Sequence, residues 1–302
     1  FTALRRLLAD LPEDLPAAVL VCQHFSTVGQ SHAVDLLRGY SSMPVALAED
    51  GMAIEAGKII FARPDVHMMI GHDHLHLRRG AHENNFRPAI DPLFRSAAVY
   101  RGPRAVGVIL SGMMDDGAAG ARALHRTGGH ILVQSPDSAD FPDMPNAALT
   151  AVPEAEPVPL ETLAAEITAL TNTPCDLAGA VPWAGLEGAT MATEERLGDL
   201  SPYNCPHCNG VLWQIEDGPM TRFRCHTGHA YTMESLNESQ DRALDESLFN
   251  ALRAHTGRAA LIRQMARKTG GTESRRRLEE RAARYEEDTE RLQQIIKSRQ
   301  AG

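Results

Sequence analysis

The sequence predicts an α/β protein with a doubly wound, mostly parallel sheet, followed by a small cysteine-rich module and a helical hairpin. Three observations lead there. Through the first 170 residues, short β-branched runs alternate with amphipathic helical segments, which is the pattern of strand–helix–strand units. Between residues 205 and 229 a Cys-x-x-Cys pair is followed by a Cys-x-x-x-His pair. From residue 232 onward the periodicity is helical, interrupted only at Gly270 and Gly271.

The first region is organised around residues 105–120, AVGVILSGMMDDGAAG. Val106, Val108, Ile109 and Leu110 form a short apolar run bounded by glycines, as expected of a strand covered on both faces. Gly112 and Gly117 bracket a turn carrying Asp115 and Asp116, and residues 118–124 then read as a helix. In open α/β sheets, loops at the carboxyl ends of strands carry the chemistry. Asp116 is equally readable as the N-cap of the helix that follows it.

The remaining elements follow in order. Residues 1–9 place Leu4, Leu7 and Leu8 on one helical face, without a cap in front of them. Residues 17–23 form a second buried strand with His24 at its carboxyl end, and residues 31–37 a helix with His32 on its solvated side. Residues 44–48 and 58–62 are short strands. Residues 66–77 alternate and carry His72, His74 and His76, which read either as the wet face of a surface hairpin or as metal ligands. In residues 87–100, Asp91 is the expected N-cap and Pro92 the first helical position. Residues 130–134 are a strand, residues 135–145 a polar loop, and residues 146–151 and 160–170 helices. Residues 171–200, rich in Ala, Gly, Thr and Pro, read as a linker.

Composition narrows the function. A hydrophobic share of 43% with 23% charged residues fits a globular domain with an ordinary core. A net charge of -9 argues against binding nucleic acid through bulk charge. No apolar run is long enough to span a bilayer. Five cysteines, three of them clustered, suggest metal binding rather than a disulfide scaffold, with a cytoplasmic location as the simplest expectation. The chain begins at Phe1 rather than Met, so an upstream segment is expected.

His24 and Asp116 each sit at the carboxyl end of a buried strand, where a doubly wound sheet can bring them together. An aspartate orienting a histidine, which activates a hydroxyl, is an acyl-transfer arrangement. Read by type alone, a structural role is the readier account of each residue. The segments VLVCQHFS (19–26), AEDGMAIEAGKIIFARPDVHM (48–68), RPAIDPLF (87–94) and GVILSGMMDDGAAG (107–120), in this order, closely resemble the catalytic domain of the CheB family of bacterial chemotaxis protein-glutamate methylesterases. The resemblance covers roughly residues 1–170. It implies a Ser-His-Asp hydrolase acting on glutamyl methyl esters of chemoreceptors, with glutamine deamidation in some members and no cofactor for catalysis. It places the family's histidine on His24, its acid on Asp116 rather than Asp115, and its active-site methionine on Met113, which would line the site or help hold the oxyanion. The family's serine sits in a Gly-x-Ser-x-Gly-Gly motif that would lie immediately before residue 1. The chain as given is therefore expected to be inactive. Ser26, Ser111 and Ser135 lie near strand ends, but none sits on a glycine elbow.

In the cysteine-rich module, Cys205, Cys208, Cys225 and His229 have the spacing of a zinc ribbon, with His226 a poorer fourth partner. With all four positions filled by protein, the expected zinc is structural, and the small core of Leu212, Trp213, Ile215 and Phe223 would depend on it. The tail carries two apolar stripes, Leu244–Leu248–Leu252–Ala259–Ile262 and Leu278–Ala282–Tyr285–Leu292–Ile296. They suit an antiparallel hairpin or a coil that associates homo-oligomers. Expected domains are thus residues 1–170, linker 171–200, ribbon 201–231 and helices 232–302. Methylated chemoreceptor-like proteins are the expected partners. The alternative is a non-catalytic signalling adaptor that binds a partner through the ribbon and helices, and a weaker third reading is a metal-dependent hydrolase using the three histidines.

Overall fold

The computed structural model describes residues 1–24, 39–175 and 198–300. The chain parts into two compact bodies, Phe1–Leu236 and Asn237–Gly302.

In the first body, two three-stranded parallel sheets form the frame. One has the order β1 (Val19–Val21), β3 (Ile59–Phe61), β2 (Val45–Leu47). The other runs β6 (Val106–Ile109), β7 (His130–Gln134), β8 (Pro157–Val158). Strand alternation sorts the side chains into two cores. Ile59, Phe61, Val108 and Leu132 pack with Leu7 and Leu8 of α1 (Thr2–Asp10) and with Leu163 and Ile167 of α5 (Leu160–Asn172). Ile60, Ile109, Ile131 and Val133 point the other way. They meet Ile90 and Leu93 of α2 (Ile90–Tyr100), Leu124 of α3 (Ala118–Arg126) and Ala148 of α4 (Asp143–Ala151). The result is the helix–sheet–helix layering expected of a parallel sheet buried on both faces. Burying a side chain such as Leu8 or Ile60, both at 0% exposure, contributes about 2 kcal/mol each.

Residues 66–77 form a hairpin, one of the two readings of this segment: β4 (His67–Ile70) and β5 (Leu75–Arg78) are antiparallel and joined by a turn closed by Gly71 N–H donating to His74 O. Other expectations shift. His72 lies in that turn, so the three histidines do not share one extended face. Asp91 is not the N-cap of its helix: α2 starts at Ile90, with Ala89 in the cap position. Helix α4 begins three residues earlier than the sequence suggests. The expected helix at 31–37, with His32, lies outside the described residues, as does Ser26.

The cysteine-rich segment is a four-stranded antiparallel sheet in the order β12 (Ala230–Thr232), β11 (Met220–Cys225), β10 (Val211–Asp217), β9 (Asp199–Asn204). Its core holds Leu212, Phe223, Tyr231 and Leu236. It belongs to the same body as the parallel sheets.

The second body is an antiparallel pair of long helices, the end of α6 (Met233–Lys268) and α7 (Thr272–Gln300). Arg299 of α7 reaches Asp241 and Asp245 near the start of α6, and Arg263 near the end of α6 pairs with Glu286. Ala259, Ile262, Ala282 and Ile296 are buried between them.

Candidate active site

His24 follows β1 and Asp116 lies in the loop between β6 and α3. They are 92 residues apart in sequence, yet His24 Nε2 lies 2.7 Å from Asp116 Oδ2. The carboxylate only accepts, so Nε2 carries the proton and the Nδ1 lone pair is left to act as a base. The imidazole also stacks flat on Phe86, with ring centroids 3.7 Å apart and planes at 4°.

Asp116 is fully buried and holds four donors. Oδ2 accepts His24 and the Ile90 N–H at 2.6 Å; Oδ1 accepts Asn84 Nδ2 at 3.0 Å and the Asp91 N–H at 3.3 Å. It therefore caps the N-terminus of α2 rather than the helix that follows it in sequence. The favour is returned: Asp91, on α2, accepts the Gly120 N–H from the first turn of α3 at 2.6 Å. Two helix N-termini thus exchange carboxylates, and each end's unpaired N–H groups are satisfied by the other. Burial opposes the charge on Asp116, but the bonds from His24, Ile90 and Asn84 outweigh it and hold the carboxyl below its usual range. Burial and the neighbouring Asp116 push Asp91 upward.

Glycine makes the approach possible. Gly117 has φ +94°, and a Cβ there would stand 2.8 Å from Ile109 and 2.9 Å from Ile90. Asp115, adjoining Asp116, is buried beside the module: burial raises its carboxyl to about 7, against a bond from Thr232, with the charge of Asp91 adding to the rise. Its Oδ1 is buried without a hydrogen-bond partner.

His24 lies at an apolar cleft of about 700 Å³ lined by β1 and β6, the facing edges of the two parallel sheets, with Leu4 and Leu8 on one side and Leu93 and Phe94 on the other. Ser111, Gly112 and Met113 also line it. Met113 is 61% exposed. Ser111 Oγ accepts the Phe141 N–H at 3.0 Å. Burial beside Asp116 and Asp91 pushes the Cys22 thiol upward, against its acting as a thiolate.

Cys205, Cys208, Cys225 and His229 bring one ligand atom each to within 4.8 Å of the others, the one such group of His, Cys, Asp or Glu among the described residues. The edges are 3.7 Å for Cys208–Cys225, 3.6 Å for Cys205–His229 and 3.4 Å for Cys225–His229. A tetrahedral zinc ion with its usual bond lengths requires about 3.8 Å between sulfurs and about 3.5 Å between sulfur and nitrogen, so the residues present fit such an ion. The knuckle is closed by Asn209 N–H donating to Cys205 O, with Asn209 at φ 57°. His226 turns instead against Gly210. His72, His74 and His76 form no comparable cluster.

Sequence reasoning missed Asn84 and Phe86, and assigned Asp91 the wrong task. The adjacent asparagines 84 and 85 both adopt positive φ, at 49° and 72°. Their type signals a turn, but nothing local shows what the turn touches.

The model of the CheB methylesterase family matches residues 1–167. The chain is 38% identical over 167 residues to protein-glutamate methylesterase/protein-glutamine glutaminase 4 of Myxococcus xanthus, covering 55% of this chain and 47% of that protein. It is 34% identical over 182 residues to the similarly named protein of Burkholderia thailandensis, covering 57% and 50%. The chain thus spans about half the length of these curated relatives. The crystal structure of the Thermotoga maritima CheB methylesterase catalytic domain superposes with a TM-score of 0.53 at 26% identity, over 56% of this chain and 92% of that one. With more than half of its residues matched and its sheets laid out as in a CheB catalytic domain, the chain belongs to the CheB methylesterase family.

Proposed function

We propose that this protein is a protein-glutamate methylesterase, hydrolysing glutamyl methyl esters on chemoreceptor-like partners in the cytoplasm. The observation that carries the reading is the 2.7 Å bond between His24 Nε2 and Asp116 Oδ2 at an open apolar cleft. The relatives' names supply the substrate class, and their second named activity extends the proposal to glutamine deamidation. No helix among the described residues is long and apolar enough to cross a membrane.

In this reading the nucleophile is a serine on a segment upstream of Phe1. Its strand would lie in the cleft between β1 and β6, and its elbow would lead into α1. His24 Nδ1 takes the hydroxyl proton as the serine oxygen attacks the ester carbonyl. Asp116 keeps the proton on Nε2 and stabilises the imidazolium. His24 then passes its proton to the departing methoxide, and methanol leaves. Water, activated by the same nitrogen, resolves the acyl-enzyme to the glutamate carboxylate. Met113 lines the site where the carbonyl oxygen gathers charge.

Cys205, Cys208, Cys225 and His229 are proposed to hold one structural zinc ion, which would supply cross-linking of the knuckles and no reactive position. The proposed domain limits are residues 1–170 for the esterase, 201–231 for the ribbon and 232–302 for the helices.

The test is methanol release from methylated receptor by the full-length protein. His24→Ala and Asp116→Asn are each expected to lower kcat by a factor of about 10³ to 10⁴. Unchanged rates in both variants would remove the assignment. A full-length protein with no serine on a glycine elbow ahead of Phe1 would favour the adaptor instead.

A further inference from the structure

The loop that carries Asn84 is gripped from three sides. Asn84 is 2% exposed, and its amide nitrogen donates to both buried carboxylates, Asp91 Oδ2 at 2.9 Å and Asp116 Oδ1 at 3.0 Å. A single NH2 group thus separates two carboxylates that would otherwise repel each other. Two residues on, Phe86 supplies the face on which His24 rests. One residue back, Glu83 is locked to α2 by two bonds from Arg95, at 2.6 and 2.8 Å.

The third grip comes from the cysteine-rich module. The Asn84 N–H donates to Ala230 O at 3.0 Å, and the Ala230 N–H donates to His82 O at 3.4 Å, so residues 82–84 run as a parallel extension of β12. Ala230 directly follows His229, one of the four ligand-type residues. Asn84 Oδ1, the remaining polar atom of that side chain, accepts Ser235 Oγ at 3.4 Å. Ser235 is itself fixed by a reciprocal cap with Thr232 at the start of α6: each side chain receives the other's N–H, at 2.9 and 3.2 Å.

We propose that Asn84 is a positioning residue for the His24–Asp116 pair, and that the cysteine-rich module holds Asn84 in place through Ala230 and Ser235. The module is then a brace for the active site, not an independent appendage. Its folding, and metal binding with it, sets how well Asp116 is held. Without the Asn84 amide, Asp116 loses a donor that stabilises its charge and faces Asp91 directly. It then takes up a proton at higher pH, and the bond to His24 is lost there. The catalytic consequence rests on the esterase reading above; the positioning itself does not.

The test therefore reads the His24 imidazole directly, in the 302-residue chain, by the NMR signal of the proton on Nε2. Asn84→Gly tolerates the left-handed backbone and removes only the amide; Asn84→Asp keeps the shape and replaces the donor by an acceptor. Both are expected to move the signal downfield, because a carboxylate that has lost a donor is the stronger acceptor, and to raise by about one unit the pH below which it disappears. Ser235→Ala should do the same to a smaller degree. Combined with Asn84→Gly it should add nothing, because the two act through one side chain. A merely structural Asn84 would lower the melting temperature and leave the pH limit where it was; that outcome overturns the proposal.

A second measurement tests the brace. Stripping zinc from the purified chain with a chelator is expected to speed hydrogen exchange at the Asn84 amide at least tenfold, while the Ile60 amide in β3 keeps its rate. Unchanged exchange at Asn84 overturns the part played by the module. In the full-length protein, Asn84→Gly should lower kcat ten- to a hundredfold with KM within twofold. If the His24 signal responds as expected but no variant releases methanol, the positioning stands and the esterase reading fails.

Discussion

The two clusters in the first body are built in opposite ways. The four ligand-type residues Cys205, Cys208, Cys225 and His229 come from 25 consecutive positions and two tight knuckles. The His24–Asn84–Asp91–Asp116 cluster draws one residue each from the end of β1, an irregular loop, the first turn of α2 and the loop after β6. The first is a local device whose proposed zinc ion would close it. The second is closed by two helix N-termini whose free N–H groups both demand an acceptor. A local cluster depends on its ligands and fails with any one of them. A distributed cluster depends on the whole frame, and loses function through small displacements before it loses the fold.

The largest expected effect lies on the module side of this comparison. Cys225→Ser, at a buried cysteine of the proposed zinc set, is expected to abolish zinc binding and unfold β9–β12, because structural zinc in such small modules supplies on the order of 10 kcal/mol. Metal analysis should fall from one equivalent per chain to none, and a native chain with no zinc would break the contrast. Next comes Asp116→Ala. Four donors, two of them the N–H groups of Ile90 and Asp91, lose their acceptor, and chemical denaturation should show a loss of about 3–5 kcal/mol. Parallel-sheet circular dichroism should persist in both variants.

Gly117→Ala is expected to cost about 1–3 kcal/mol, since a side chain at φ +94° would also press on Ile109 and Ile90. Asp115 gives the pH dependence. Its carboxyl titrates near 7 in the folded protein and near 3.9 when unfolded. Between these values the folded chain holds a proton that the unfolded chain has released, so stability falls as pH rises through that window and is level above it. Asp115→Asn should flatten this decline, by roughly 1–3 kcal/mol at pH 8. An equal decline in the variant would sever the link between the Asp115–Asp116 loop and Thr232. The smallest effect is expected at the rim, where Arg126→Ala removes a half-exposed partner of Asp217 and should change stability by less than 1 kcal/mol.

Much of this was legible in the sequence. The run at 106–110 became β6, residues 130–134 became β7, and Gly270-Gly271 separates the two long helices. These are places where burial is uniform or a glycine pair breaks a helix, so residue type decides. The four ligand-type residues were legible because their spacing is itself the geometry of the knuckles. The hairpin at residues 66–77 was legible too, but the place of its turn at residues 71–74 was not, because a Gly-His-Asp-His turn leaves the apolar alternation unbroken.

By itself, then, the sequence determined which segments are buried strands, which helices cover them, and that residues 205–229 carry three thiols and an imidazole at the spacing of two knuckles. Only the tertiary structure decided which helix each aspartate caps. An N-cap is recognised in sequence by the helix that follows it, yet Asp116 and Asp91 each serve the other's helix, because the two N-termini point at one another across the sheet's carboxyl edge. The same packing brought Asn84 between them and the module's Ala230 behind it. Such contacts depend on where elements lie in space, and no periodicity or spacing within one element carries that information.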